Sequence, residues 1–264
     1  MIWLAQLVFD CADPDAVMQF WGRALEYRNP LIGIPAEEVA AFRVANPQFD
    51  GRGRIDDNDL RRMPVYIQRV PEPKSERNRV RLEVAAAEGR PERRLLELGA
   101  KRLADDQFTD VEGNEFAVVH ADEGQTRLRS IVIDAEDPER LLAFWANATG
   151  YVPDSPRLRC DPIDVGLRWE GTHFDMNGET LLHITGAGAE PGPAPFDLIP
   201  GLQFRPATAA KERKNRLHVD LNSTDVDADR ERLIGLGATV LQWDTDHVMS
   251  DPEGNEFCLS GRTH

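Results

Sequence analysis

Cysteine is nearly missing from this chain: Cys11, Cys160 and Cys258 are the three in 264 residues, an odd number at unrelated spacings. There is no CxxC pair, no zinc-knuckle spacing and no disulfide framework, so a reducing compartment and a cytoplasmic location are expected. Long apolar runs are missing too, none approaching the roughly 18 residues of a membrane span. The N-terminal MIWLAQLVFDCADPD meets Asp10 and Asp13 with no preceding basic region and no small-residue cleavage site, so it reads as a first strand rather than an export signal. Basic charge is in short supply, with 31 Lys and Arg against 46 Asp and Glu and a net charge of -15. Nucleic acid and anionic membrane both demand clustered cations to displace counterions, so neither is an expected partner. The acidity suits a soluble protein and leaves room for a cationic ligand.

What is present is an ordinary globular composition, 41% hydrophobic and 29% charged, and one phrase written twice. Asp110-Val-Glu-Gly113-Asn114-Glu115-Phe116 returns as Asp251-Pro252-Glu-Gly254-Asn255-Glu256-Phe257, each closing one half. The chain is a tandem duplication, and the expected domains are residues 1–124 and 125–264. Each half serves as a control for the other, because a residue type present in only one cannot be required by the shared fold.

Residues 2–10 alternate and are β-rich. Asp13-Pro14 then opens a helix with Val17, Phe20, Trp21, Ala24 and Leu25 at three-to-four spacing. LRSIVIDAE, Asp137-Pro138 and Leu141, Leu142, Phe144, Trp145 and Ala148 repeat the pattern, with Trp21 and Trp145 read as core anchors. A second cycle follows in each half: strands at 78–84 and 215–221, helices around 90–98 and 225–236, and β-runs through the Gly-Asn turns, whose positive-φ residues favour tight hairpins. Residues 29–63 and 186–214 are the least regular segments, and the second, rich in Gly, Pro and Ala, reads as a long loop.

DCADPDAVMQFW and DAEDPERLLAFW, VPEPKSERNRVRLEV and AKERKNRLHVDL, Leu-Gly-Ala after each second helix, and DVEGNEF and DPEGNEF together resemble the vicinal oxygen chelate superfamily. That superfamily includes glyoxalase I, extradiol dioxygenases and bleomycin-resistance proteins, and the likeness is to its actinobacterial glyoxalase-like branch. The resemblance implies an α+β fold: two tandem domains, each of paired βαβββ modules with curled mixed sheets forming a cleft. It also implies metal ligands on three strands, a His on the first, a His on the strand opening the second module and a Glu after the Gly-Asn turn. In this sequence those positions hold Gln6, Arg81 and Ala117 in the first half and Ser130, His218 and Cys258 in the second. Arg81 brings a permanent cation, and Ala117 and Ser130 are not ordinary ligands, so taken half by half no metal and no cofactor is expected. Gln6 alone would suit the glyoxalase I ligand set.

Further candidates are judged residue by residue. His218 and Asp220, two apart on one strand, point to one face and are the candidate acid/base pair. Arg81 and Glu83 occupy the same places in the first half, an arrangement that a structural ion pair explains equally well. Trp169, His173, Phe174, Met176, His183, Trp243 and His247 occur in the second half and form a candidate aromatic, weakly basic ligand pocket. With Gln6, Arg81, Ser130 and Cys258 they point to a metal-independent small-molecule binding protein of the glyoxalase/bleomycin-resistance type, monomeric or homodimeric. The alternative is an enzyme, a lyase, isomerase or dioxygenase-like, using His218 in the second-half cleft.

Overall fold

A computed structural model describes residues 2–28, 34–45, 51–56, 62–87, 91–121, 126–149, 151–153, 165–168, 200–243 and 247–261. Trp169, His173, Phe174, Met176 and His183 lie outside the described residues.

The fold is α+β. Four successive modules each begin with a long strand: β1 (Ile2–Cys11), β4 (Val80–Ala87), β8 (Arg127–Ala135) and β12 (Leu217–Ser223). Each is followed by a helix: α1 (Pro14–Ala24), α3 (Pro91–Glu97), α4 (Pro138–Thr149) and α5 (Val226–Gly235). Shorter strands complete the modules: β2 (Arg52–Ile55) and β3 (Val65–Arg69) after helix α2 (Ala36–Ala45), then β5 (Lys101–Arg102), β6 (Gln107–Thr109) and β7 (Glu115–Ala121). The second half supplies β9 (Val152–Pro153), β10 (Val165–Arg168), β11 (Gly201–Pro206), β13 (Thr239–Gln242), β14 (Val248–Ser250) and β15 (Glu256–Gly261). The predicted elements are present, with ends that coincide or shift by up to three residues. The loop expected at 186–214 is corrected: Leu202 and Phe204 alternate inward on β11, which pairs in parallel with β8.

Neither sheet belongs to one half. The seven-stranded sheet runs β13-β14-β15-β12-β1-β3-β2 and the eight-stranded sheet β5-β6-β7-β4-β8-β11-β10-β9. The first strand of the chain therefore joins the last module, β1 antiparallel to β12, and the two central modules join through β4 and β8. On each long strand one set of alternate residues enters the core: Leu7, Phe9 and Cys11 on β1, Leu217, Val219 and Leu221 on β12. The other set faces away from it.

The helices repeat one design. Asp13 caps α1 by accepting from the backbone of Asp15 and Ala16, with Pro14 in the first turn. Val17, Phe20, Trp21 and Ala24 are buried on one face. Trp21 packs on Phe9 and Phe116 with ring centroids 5.4 and 5.1 Å apart. Trp145 packs on Phe257 at 5.5 Å. Both Trp residues are core anchors as expected, and each also donates its Nε1 hydrogen to the Asp that opens a Gly-Asn turn, Trp21 to Asp110 at 3.0 Å and Trp145 to Asp251 at 3.2 Å.

The duplicated turn does more than close a hairpin. Only its glycines, Gly113 (φ 85°) and Gly254 (φ 80°), take the left-handed region, so the positive φ expected of the Asn residues is corrected. Asn114 and Asn255 are buried instead and meet Asn78 and Asn215 at 2.9 and 3.1 Å. The turn glutamates reach across modules. Glu112 accepts from the backbone of Ala12 and Asp13 and from Arg216 at 3.2 Å; Glu253 accepts from the backbone of Glu136 and Asp137 and from Arg79 at 2.7 Å. One glutamate thus fixes a helix entry in its own half and the residue leading into a long strand of the other half.

Candidate functional site

Strand pairing across the halves regroups the candidate residues. On the face of the seven-stranded sheet opposite the core, Gln6 of β1 lies beside Asp220 of β12, and Asp220 beside Cys258 of β15. His218 sits two residues earlier on β12, beside Val8. The equivalent row on the eight-stranded sheet is Ser130, Glu83 and Ala117, with Arg81 beside Val132. The ligand positions therefore combine as Gln6, His218 and Cys258 on one sheet and Ser130, Arg81 and Ala117 on the other. The sets taken within each half, on which the absence of a metal was expected, do not meet.

The eight-stranded sheet is electrostatically closed. Arg81 grips Asp134 with two hydrogen bonds of 2.6 and 2.7 Å and adds a third to the Asn78 carbonyl at 3.0 Å. Glu83 accepts from Arg205 at 2.5 Å and from Gln203 at 2.9 Å, and Gln203 also donates to Ser130 at 2.8 Å. Arg81 and Glu83 thus pair with other partners, not with each other as the sequence suggested. A cavity of about 500 Å³ borders this network and includes Arg77, Leu103, Gln107, Ala117 and Val132. With a guanidinium fixed where an ion would sit, this face does not fit a metal.

The seven-stranded sheet is open by comparison. Its strand-end Asp10 is satisfied by Lys214 at 2.5 Å and Gln68 at 2.6 Å. Asp220 has the Gln6 amide on Oδ2 at 2.7 Å, while its buried Oδ1 has no hydrogen-bond partner among the described residues. The His218 Nε2 atom lies 3.6 Å from Asp220 Oδ1 and 4.0 Å from Cys258 Sγ, and its buried Nδ1 has no hydrogen-bond partner among the described residues. His218 is only 6% exposed, and burial lowers its pKa below the ordinary value against the opposing pull of the Asp220 carboxylate. The imidazole is therefore neutral at neutral pH, with a lone pair available. Imidazole nitrogen, carboxylate oxygen and sulfur lie within 4.8 Å of one another. Buried polar atoms in folded proteins nearly always have partners, so two of them unsatisfied on neighbouring side chains, among the described residues, single out this face as the candidate site. These residues fit a cation.

Trp243 is not part of this face. Its ring stacks on His247 with centroids 4.4 Å apart and takes the Arg230 guanidinium of α5 at 4.8 Å, and it packs against the apolar core. The alternation on β13 and β14 places that stack on the helix side of the sheet. The partner that sequence reasoning missed is the pairing of β1 with β12, which unites Gln6 with His218; the common alternation of all four long strands gave no signal for it.

A family model described as "Glyoxalase-like domain" matches residues 6–119 and again 130–260. No curated protein matches the chain. Among solved structures, glyoxalase I from Zea mays aligns with TM-score 0.61 at 12% identity, over 98% of this chain and 92% of that one. A putative dioxygenase from Bacillus subtilis subsp. subtilis str. 168 aligns with TM-score 0.58 at 10% identity, over 99% and 86%. At such identities the structural likeness is one of fold. With both repeats matched, this chain belongs to the glyoxalase-like domain family, as a tandem-domain protein of the vicinal oxygen chelate superfamily.

Proposed function

We propose that the protein binds a small organic molecule on the face of the seven-stranded sheet opposite the core, at Gln6, His218, Asp220 and Cys258, as a sequestering protein of the glyoxalase/bleomycin-resistance type. The observation that carries this reading is the contrast between duplicated faces. Every charged group in the row on the eight-stranded sheet is held by another side chain, while His218 and Asp220 retain buried polar atoms without partners. Metal independence is supported on the eight-stranded sheet, where Arg81 fills the place of an ion, but the argument made half by half does not carry to the seven-stranded sheet, where Gln6, His218 and Cys258 come together. Where the superfamily's divalent ion binds, His218 and Cys258 would hold it, and it would act as a Lewis acid toward a ligand oxygen.

A second reading, an enzyme, is favoured by the His218–Asp220 contact of 3.6 Å. A neutral buried imidazole beside a carboxylate can take a proton from a ligand and have the resulting imidazolium stabilised. Thermal-shift screening of a small-molecule library tests both. A ligand of this face at 100 times its Kd adds about 2.7 kcal/mol of stability, and His218→Ala or Asp220→Ala removes that increment. A stabilisation that survives both substitutions rules this face out. Recovery of the ligand unchanged by mass spectrometry supports binding; its conversion, lost in His218→Ala, supports the enzyme.

A further inference from the structure

We propose that the cavity on the pseudo-two-fold axis between the halves, where the segments leading into β4 and β12 face each other, binds the phosphate group of a small molecule. The cavity measures about 470 Å³, within the roughly 300–1,000 Å³ range of small-molecule pockets. It lies between residues 72–79 and 209–216, which the duplication makes equivalent through the phrase Lys-x-x-x-Asn-Arg, at Lys74–Arg79 and Lys211–Arg216.

The contacts across the axis are reciprocal. Arg79 Nη1 donates to the Ala209 carbonyl at 3.2 Å and Arg216 Nη1 to the Glu72 carbonyl at 2.6 Å, and Glu72 and Ala209 hold matching places in the two segments. Each guanidinium gives Nη2 to a turn glutamate, Arg79 to Glu253 and Arg216 to Glu112. Both side chains are nearly buried, 9% and 12% exposed, and both keep a buried Nε hydrogen with no acceptor among the described residues. Buried donors nearly always have partners, and an oxyanion in the cavity that both arginines line would supply one to each.

Charge selects an anion. The lining holds seven Lys and Arg against four Asp and Glu, in a chain whose acids outnumber its bases 46 to 31. Some of these cations are balanced from outside the lining, Lys74 by Glu115 and Lys211 by Glu256. Arg77 and Arg213 are the least committed. Arg77 lies 3.5 Å from Asp134, whose two oxygens already accept from Arg81 at 2.6 and 2.7 Å, so one carboxylate faces two guanidiniums. Arg213 is 3.8 Å from Glu76, and both of those side chains are exposed, so the pair contributes little. Both arginines can turn toward a ligand at the mouth without stranding a buried partner. Phosphate is favoured over carboxylate because the donors come from opposite segments. Tetrahedral oxygens meet donors on several sides, whereas a carboxylate presents two oxygens in one plane.

Calorimetric titration of the intact chain with sodium phosphate and sodium pyrophosphate, at ionic strength held constant with sodium chloride, tests this. Saturable binding of one anion per chain is expected, with a rise in Tm. Arg77→Gln and Arg213→Gln are each expected to weaken it by roughly 10-fold, the loss of one hydrogen bond to a charged group, and the double variant by more than either alone. Both positions are exposed, so the variants should fold, and circular dichroism checks that they do. Arg93→Gln removes an exposed cation on α3 outside the cavity and should bind as the parent does. No saturable uptake of either anion, uptake unchanged in the double variant, or an equal loss in Arg93→Gln overturns the proposal. Citrate bound more tightly than pyrophosphate overturns phosphate as the group recognised. These salts are kept out of the organic library, so the cavity and the His218 face are read separately.

Discussion

Two cysteines show how one residue type is used differently by the two faces of a strand. Cys11 points into the core and is 0% exposed, and burial, aided by the nearby Glu112 carboxylate, pushes its thiol up to about 12 from 9.0. Thiolate is the reactive form, so Cys11 is expected to remain unmodified by iodoacetamide in the native protein at pH 8 and to react after unfolding. Peptide mapping of the two samples checks this, and labelling of native Cys11 would contradict its burial. The sign of the shift also sets a pH effect. The unfolded thiol ionises near 9 while the folded one keeps its proton to about 12. The group's contribution is complete below 9, and stability declines as pH rises from 9 toward 12. Cys258 faces the other way, beside His218. Its counterpart Ala117 shows that the fold asks for no sulfur there, the kind of inequality between halves that marks a site.

At the scale of elements, the repeated Gly-Asn turn acts as a fastener. Glu253 takes two backbone N–H groups at the entry to α4 and the guanidinium of Arg79, the residue just before β4, with side chains 6% and 9% exposed. Removing one member of a nearly buried, charge-assisted set leaves the other without a partner. Glu253→Ala is therefore expected to cost about 3 kcal/mol, read as a lowering of Tm by roughly 6–12 °C. Arg79→Ala in the same chain should add much less than its effect alone, because the pair is already broken. Full additivity, or a Tm unchanged by Glu253→Ala, would show that the contact carries no stability. The sequence made the turn conspicuous as the mark of duplication, though not the reach of its glutamates across modules, and made legible all four long strands, their helices and both Trp anchors. Strand β11 was hidden because its short Leu202-Gln-Phe204 alternation follows a run of Gly, Pro and Ala. For the site, His218, Asp220, Gln6 and Cys258 could each be picked out, but their grouping could not. After duplication, β1 has the same alternation and flanking motifs whether it pairs with β4 or with β12, and local pattern cannot choose between them.

That choice governs the whole molecule. Since β1 pairs with β12 and β4 with β8, a break between the halves separates both central strand pairs and takes Gln6 away from Asp220. Residues 1–124 alone would present β1 and β4 with one edge each unpaired, flanked by core residues such as Leu7, Phe9, Leu82 and Val84. Exposed central edges recruit other strands, from a second copy or from aggregates. The separately expressed segments 1–124 and 125–264 are therefore expected to self-associate or precipitate. Co-expressed, they should recover as a 1:1 complex with the circular dichroism of the intact chain. The intact chain needs no second copy to join these strands, so size-exclusion chromatography with light scattering should give a monomer. A 1–124 segment that is monomeric and as stable as the parent would mean that each half folds as a closed unit. In the reassembled complex, any stabilisation by a ligand of the His218 face seen with the parent chain should reappear and be lost with His218→Ala in the second fragment, because Gln6 and Asp220 meet only where the two halves share a sheet.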